Sequence, residues 1–291
     1  MRIVILVLSD LHVGSIFSVW HPEYEDKQGV SYPLNQMQKM LWQYWLNMCE
    51  ELKDEKPDYT ILAGDIIDGV QPANYGRTTM TTDLDDQAAC AVKLLQMVPL
   101  KRKEYFVVVG TDYHEAKYND VHYQICMNLN NDDRYFWLDT MGYIQEEDYV
   151  INVAHGSSAS FIYPETVQAR EWQFMLSAAE LHKIDRACDL IIRGHLHIYS
   201  LIERSGFRLK KFPKLTAPAV TSIKTMINPA FQGQTDYMRR KSPFKLIPDI
   251  GYTKVIIDDF GVHVKERIFE HLGIKSISRV PALRKRNGRK K

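Results

Sequence analysis

Arg2-Ile3-Val4-Ile5-Leu6-Val7-Leu8-Ser9-Asp10-Leu11-His12 begins with an unbroken β-branched and apolar run and stops at two residues of metal-ligand type. A run that is apolar at every position, not every second one, reads as a strand buried on both faces, as in the parallel sheet of an α/β protein. Open α/β sheets bind their ligands outside the carboxyl ends of the strands, and Asp10 and His12 stand there.

The same unit recurs along the chain. Residues 58–63 form a second short apolar strand that ends in Gly64-Asp65-Ile66-Ile67-Asp68-Gly69, and residues 104–109 form a third that runs into Gly110-Thr111-Asp112-Tyr113-His114-Glu115. Between the first two, Met37, Met40, Leu41, Tyr44, Trp45, Met48 and Leu52 recur at three- and four-residue steps, which predicts an amphipathic helix over 34–53. Pro57 ends it. Asp83 is a candidate N-cap for a second helix, over 83–98, that Pro99 closes. Strand-then-ligand units separated by helices predict a parallel α/β core.

Beyond a helix over 121–129, residues 135–138, 142–145 and 149–154 read as strands, the last ending in His155-Gly156. A helix carrying Ala169, Trp172, Phe174, Met175 and Leu181 follows, then the strand 189–193, which presents Gly194-His195-Leu196-His197. Residues at i and i+2 project to one side of a strand, so His195 and His197 share a side. Two hairpins close the pattern, 199–203 with 207–212 around Ser205-Gly206, and 252–258 with 262–268 around Asp259-Phe260-Gly261. The proline-rich stretch 218–250, with its basic cluster Arg239-Arg240-Lys241, reads as an irregular insertion, so the expected organisation is one domain over 1–271 and a basic tail over 272–291.

Composition narrows the setting. The chain has 291 residues, 45% apolar and 25% charged, and a net charge of +1, as expected of an ordinary globular protein. No apolar run approaches the roughly 20 residues needed to span a bilayer. The start lacks the charged, apolar and small-residue order of a secretory signal, and four scattered cysteines (Cys49, Cys90, Cys126, Cys188) lack CxxC spacing, so reduced core thiols in a cytoplasmic protein are expected. Eight positive charges and no acid follow Glu270, giving a mildly acidic body with a basic tail.

Asp10, His12, Asp65, Asp112, His114, His155, His195 and His197 thus all follow predicted strands. One such residue alone is usually a turn former or a hydrogen-bonded histidine, but five strand ends agree. Mixed carboxylate and imidazole ligands suit Mn, Fe, Zn, Ni or Mg, with Mn first, and seven of them exceed one tetrahedral site. They suit two divalent ions about 3.5–4 Å apart bridged by a carboxylate.

In that order, Asp10-Leu11-His12, Gly64-Asp65-Ile66-Ile67-Asp68, His155-Gly156 and Gly194-His195-Leu196-His197 resemble the calcineurin-like metallophosphoesterases over residues 1–200, and the closing strands fit less specifically. The resemblance implies a four-layer α/β/β/α sandwich of two mixed sheets flanked by helices. It implies that Asp10, His12 and His197 hold one ion, Asp65 bridges, His155 and His195 hold the other, and Asp68 organises the loop. The third motif departs from the family's Gly-Asn-His, and there Asp112, ahead of Thr111, is expected to take the ligand role of the Asn. His114 is expected to take that of the histidine, protonating the leaving group.

The expected substrate is a phosphoester. Positive charge at Arg284 to Lys291, at Arg239, Arg240 and Lys241, and at Lys210 and Lys211, with loop aromatics Trp20, Tyr24, Tyr75, Tyr113 and Tyr118, points first to a phosphodiesterase acting on DNA or RNA, similar to the nuclease branch. The unusual third motif also resembles phage-borne members. A small-molecule phosphoesterase or a protein phosphatase is the alternative, and a non-catalytic metal-binding scaffold is the alternative of another class. Neither the metal centre nor the composition sets the oligomeric state.

Overall fold

A computed structural model describes residues 2–71, 75–115, 121–156, 164–181, 188–207, 220–236, 238 and 247–269. The chain runs β1 (Ile3–Leu8), α1 (Gln36–Asp54), β2 (Tyr59–Ala63), α2 (Leu84–Leu95), β3 (Tyr105–Val108), α3 (Asp112–Glu115), α4 (Val121–Leu129), β4 (Met141–Glu146), β5 (Tyr149–Ala154), α5 (Pro164–Leu181), β6 (Leu190–Arg193), β7 (Ser200–Phe207), β8 (Val220–Ile227), β9 (Gly251–Asp258) and β10 (Gly261–Ile268). It builds two five-stranded mixed sheets, ordered β10-β9-β1-β2-β3 and β4-β5-β6-β8-β7.

The layers follow from where the apolar runs go. On β1, Ile3, Ile5 and Val7 join Tyr59, Ile61, Phe106 and Val108 in a core shared with Ile151, Val153, Leu190, Ile192 and Met226 of the second sheet. The opposite face of β1, through Leu6 and Leu8, packs on Leu41, Trp45 and Met48 of α1, Leu94 and Leu95 of α2, and Ile125 of α4. Across the second sheet, Val167 of α5 packs on Leu196 and Ile227. The order is α/β/β/α, as the family resemblance implies. Both faces of β1 and β2 are covered, which is why neither alternates in polarity.

Local signals set the helix starts. Asn35 accepts from Gln38 N while Gln38 Oε1 accepts from Asn35 N, a reciprocal cap on α1. Asp83 accepts from Asp85 N and Asp86 N at the head of α2, as expected from the sequence. All four cysteines are free and buried. Burial pushes the thiols of Cys49, Cys90 and Cys188 up to about 12 and that of Cys126 to about 11. Among the described residues no helix is long and apolar enough to cross a membrane.

Three readings of the sequence are corrected. Ser205-Gly206 is not a turn: β7 runs through it and pairs antiparallel with β8, from Ser200 opposite Ile227 to Phe207 opposite Val220. The stretch read as an irregular insertion contains β8 itself, a central strand held on its other edge by parallel pairing with β6. Lys224 and Thr225 interrupt the apolar run there. Residues 135–138 are not a strand but a 3₁₀ turn at Arg134–Phe136, fixed by Asp133 accepting from Tyr135 N, with Trp137 in a single bridge to Val107. The β9–β10 hairpin is as expected.

Candidate metal centre

Five strand ends converge, and past those ends the backbone keeps zipping. Asp10 N donates to Gly64 O at 3.1 Å, His12 N to Asp65 O at 3.0 Å, and Gly194 N to His155 O at 3.0 Å. These bonds lock the post-strand residues of β1 to those of β2, and of β6 to those of β5, so the ligand positions are set by the sheets.

Three overlapping groups result, each with its ligand atoms within 4.8 Å of one another: Asp10, His12 and His197; Asp65, His155 and His195; and His12, Asp65 and His114. In the first, His197 Nε2 lies 3.1 Å from Asp10 Oδ1 and 3.2 Å from His12 Nε2. Ligands about 2.0–2.2 Å from one ion in tetrahedral or octahedral order stand roughly 3–3.5 Å apart, which both His197 distances match, while Asp10 Oδ1 and His12 Nε2 stand wider, at 3.9 Å; the donor chemistry suits a divalent cation. In the second, Asp65 Oδ2 lies 2.9 Å from His155 Nε2. The same oxygen is 3.9 Å from His12 Nε2 and 3.9 Å from His114 Nε2, so it faces both groups.

Secondary contacts aim these atoms. His155 Nδ1 donates to Ala63 O at 2.7 Å, since a carbonyl only accepts, and this leaves Nε2 to face Asp65. Both Asp10 carboxylate oxygens accept from His195 N at 3.0 Å. Asp65 Oδ1 accepts from Thr111 N at 2.7 Å and from its hydroxyl at 3.1 Å, while Oδ2, 3.3 Å from the same hydroxyl, faces the cluster. A Cβ at Gly110 would collide with Asp65 Oδ1, so only glycine admits that approach.

Five of these residues, Asp10, His12, Asp65, His195 and His197, have φ between 45° and 71°. Left-handed backbone in residues with a side chain costs roughly 1–3 kcal/mol each and collects at functional sites.

Electrostatics follow from burial. Desolvation opposes the Asp10 carboxylate, but the imidazoles of His197 and His155 outweigh it and lower its pKa. Asp65 is held well below the carboxylate range in the same way, by His155 and then His114. Burial would neutralise His155, yet Asp65 and Asp10 raise it to about 9. Burial lowers His12, with His114 adding to it, and lowers His195, with His155 adding to it.

The structure brings together Asp10, His12, Asp65, His114, His155, His195 and His197. Asp112 is exposed at the head of α3 and joins none of the groups among the described residues; Thr111 meets Asp65 instead. Asp68 lines the far side, its Oδ1 3.6 Å from His12 Nδ1 and 3.8 Å from His114 Nδ1. Trp20 and Tyr24 are buried in the core, whereas Tyr75 and Tyr113 are exposed. Tyr118, Lys210, Lys211, Arg239, Arg240, Lys241 and the 272–291 tail lie outside the described residues.

Sequence reasoning missed His122. Buried on α4, it accepts from Ile66 N through Nε2 at 2.9 Å and so holds the Asp65 turn, with its pKa lowered to about 3 by burial. A helix-borne histidine carries no local sign of that role.

No family model matches the chain, and no curated protein matches it. Among solved structures it is similar to a Vps29 single mutant from Entamoeba histolytica, at 12% identity and TM-score 0.39, covering 92% of this chain and 100% of that one. It is similar to a conserved uncharacterized protein, a predicted phosphoesterase, from Streptococcus pneumoniae TIGR4, at 14% identity and TM-score 0.36, covering 92% and 99%. It is also similar to Yfce, a phosphoesterase from E. coli, at 9% identity and TM-score 0.39, covering 89% of each chain.

Proposed function

We propose that this chain is a calcineurin-like metallophosphoesterase that hydrolyses phosphodiesters, with nucleic acid as its first substrate class. The observation that carries the reading is the convergence of three ligand groups that share His12 and Asp65. Asp10, His12 and His197 would hold one ion and His155 and His195 the other, with Asp65 between them. Manganese is the first choice for this nitrogen and oxygen set. Two divalent ions bound there supply Lewis-acid stabilisation of the phosphoryl charge and lower the pKa of water.

The protein's own groups do the rest. Thr111 holds one Asp65 oxygen through its backbone N–H and its hydroxyl. His114 donates through Nδ1 to Asp68 O at 2.7 Å, which directs Nε2 toward Asp65 and the substrate side. As water oxygen adds to phosphorus and the bond to the leaving oxygen breaks, the proton on His114 Nε2 passes to that oxygen. Nucleic acid is favoured by the basic tail in the sequence and by exposed Tyr113, whose ring lies 5.2 Å from that of His114.

The test is His114→Ala. Two metals per chain are expected to remain, while kcat on a dinucleotide with Mn falls about a hundredfold or more and kcat on a nitrophenyl diester falls far less. Equal losses on both substrates would sink the acid role. Loss of a metal would assign His114 to the ligand set, as its grouping with His12 and Asp65 also allows.

A further inference from the structure

We propose that Gln87, on α2 and outside the metal centre, is a positioning residue that sets the orientation of His114 through the Asp68–Gly69 peptide; this rests on the acid role given to His114 above. Gln87 is fully buried, and its amide is fully used. Oε1 accepts from Gly69 N at 2.9 Å, and Nε2 donates to Gly69 O at 2.9 Å and to Thr81 O at 2.7 Å. A backbone N–H only donates and a carbonyl only accepts, so the amide has one allowed orientation.

The N–H that Gln87 holds and the carbonyl that receives His114 Nδ1 are two ends of one peptide group. Peptide planarity makes them turn together, so fixing Gly69 N–H fixes the direction of Asp68 O. That carbonyl holds a proton on Nδ1, so the proton that the doubly protonated ring can give to the leaving group is the one on Nε2. Gln71 Nε2 also donates to Asp68 O at 3.0 Å, but Gln71 is only partly buried, and the Gln87 clamp is the one anchored in a helix. A Cβ at Gly14 would collide with the Gln87 side chain, so the β1 loop makes room for it.

Gln87→Met keeps the length of the side chain and removes all three bonds. Two readouts test the inference in the full chain. In the first, ¹⁵N-histidine spectra of the zinc-loaded protein, taken in alkaline buffer, should show His114 protonated on Nδ1 in wild type and divided between tautomers in Gln87→Met. An unchanged tautomer would overturn the proposal, whatever the enzyme turns over.

The second readout is a double-mutant cycle with His114→Ala. Gln87→Met alone is expected to lower kcat on a dinucleotide about tenfold or more, with KM and metal content kept and the nitrophenyl diester affected less than twofold. In the His114→Ala background it should cost nothing further. Additive losses would mean that Gln87 merely supports the loop. If His114→Ala alone shows no dependence on leaving group, the acid role fails, and the tautomer still decides whether Gln87 orients the ring. Should Gln87→Met not fold, Gln87→Asn, one methylene too short to reach Gly69, is expected to give the same results.

Discussion

At the scale of single residues, the metal-free centre is a charged one. With His155 raised to about 9, its imidazolium sits against the Asp65 carboxylate at 2.9 Å and occupies the place of a cation. A raised folded-state pKa contributes stability that is fully present below the ordinary histidine value of 6.5 and is lost as pH rises through about 9. The lowered values of His12, His195 and His122 act in the opposite sense, but near and below 6.5. The Tm of the chelator-treated protein is therefore expected to fall from pH 6.5 to 9, while that of the metal-loaded protein stays level, because a metal held by His155 would displace its proton. Thermal melts across that range check it, and a flat metal-free profile would refute the ion pair. The residues that could be read in the sequence were those whose type alone names their chemistry, the strand-end Asp and His. Thr111 meets Asp65 through its hydroxyl and through its backbone N–H, which every residue but proline owns, so side-chain type alone did not mark it ahead of Asp112.

At the scale of elements, the strands that could be read were those with uninterrupted apolar runs, β1, β2 and β6, and those bounded by turn residues, β9 and β10. β8 escaped because a strand inside a sheet can carry polar residues when other strands satisfy them: the Thr225 hydroxyl donates to Ile202 O of β7 at 3.5 Å, and Lys224 Nζ to Val262 O of β10. The elements also set tolerances at their ends. Gly110 lies at the point where the post-β3 turn touches Asp65, so Gly110→Ala is expected to move that carboxylate and weaken metal binding at least tenfold with little change in secondary structure. Metal titration alongside circular dichroism checks both halves, and unaltered affinity would show that Asp65 is held by Thr111 alone.

At the scale of the whole molecule, two sheets deliver the candidate site residues to one edge of the sandwich: β1, β2 and β3 from one, β5 and β6 from the other. This architecture was legible in the order of the motifs, because each motif marks the carboxyl end of one strand. The substrate was less legible, since the basic residues that point to a polymer are separated in sequence from the metal centre. Removing residues 284–291 is expected to reduce the salt dependence of single-stranded DNA binding while leaving turnover of a nitrophenyl diester unchanged. Binding measured from low to moderate salt decides it, and an unchanged slope would separate the tail from substrate.

The left-handed ligand turns have a consequence for how such a chain changes under selection. Five of its candidate ligand positions hold conformations that glycine would adopt more cheaply, so at positions 10, 12, 65, 195 and 197 thermal robustness and retention of the proposed metals pull in opposite directions. A library screened only for heat tolerance without metal should accumulate glycine there and lose the centre. A screen that includes the cation should keep every one of the five.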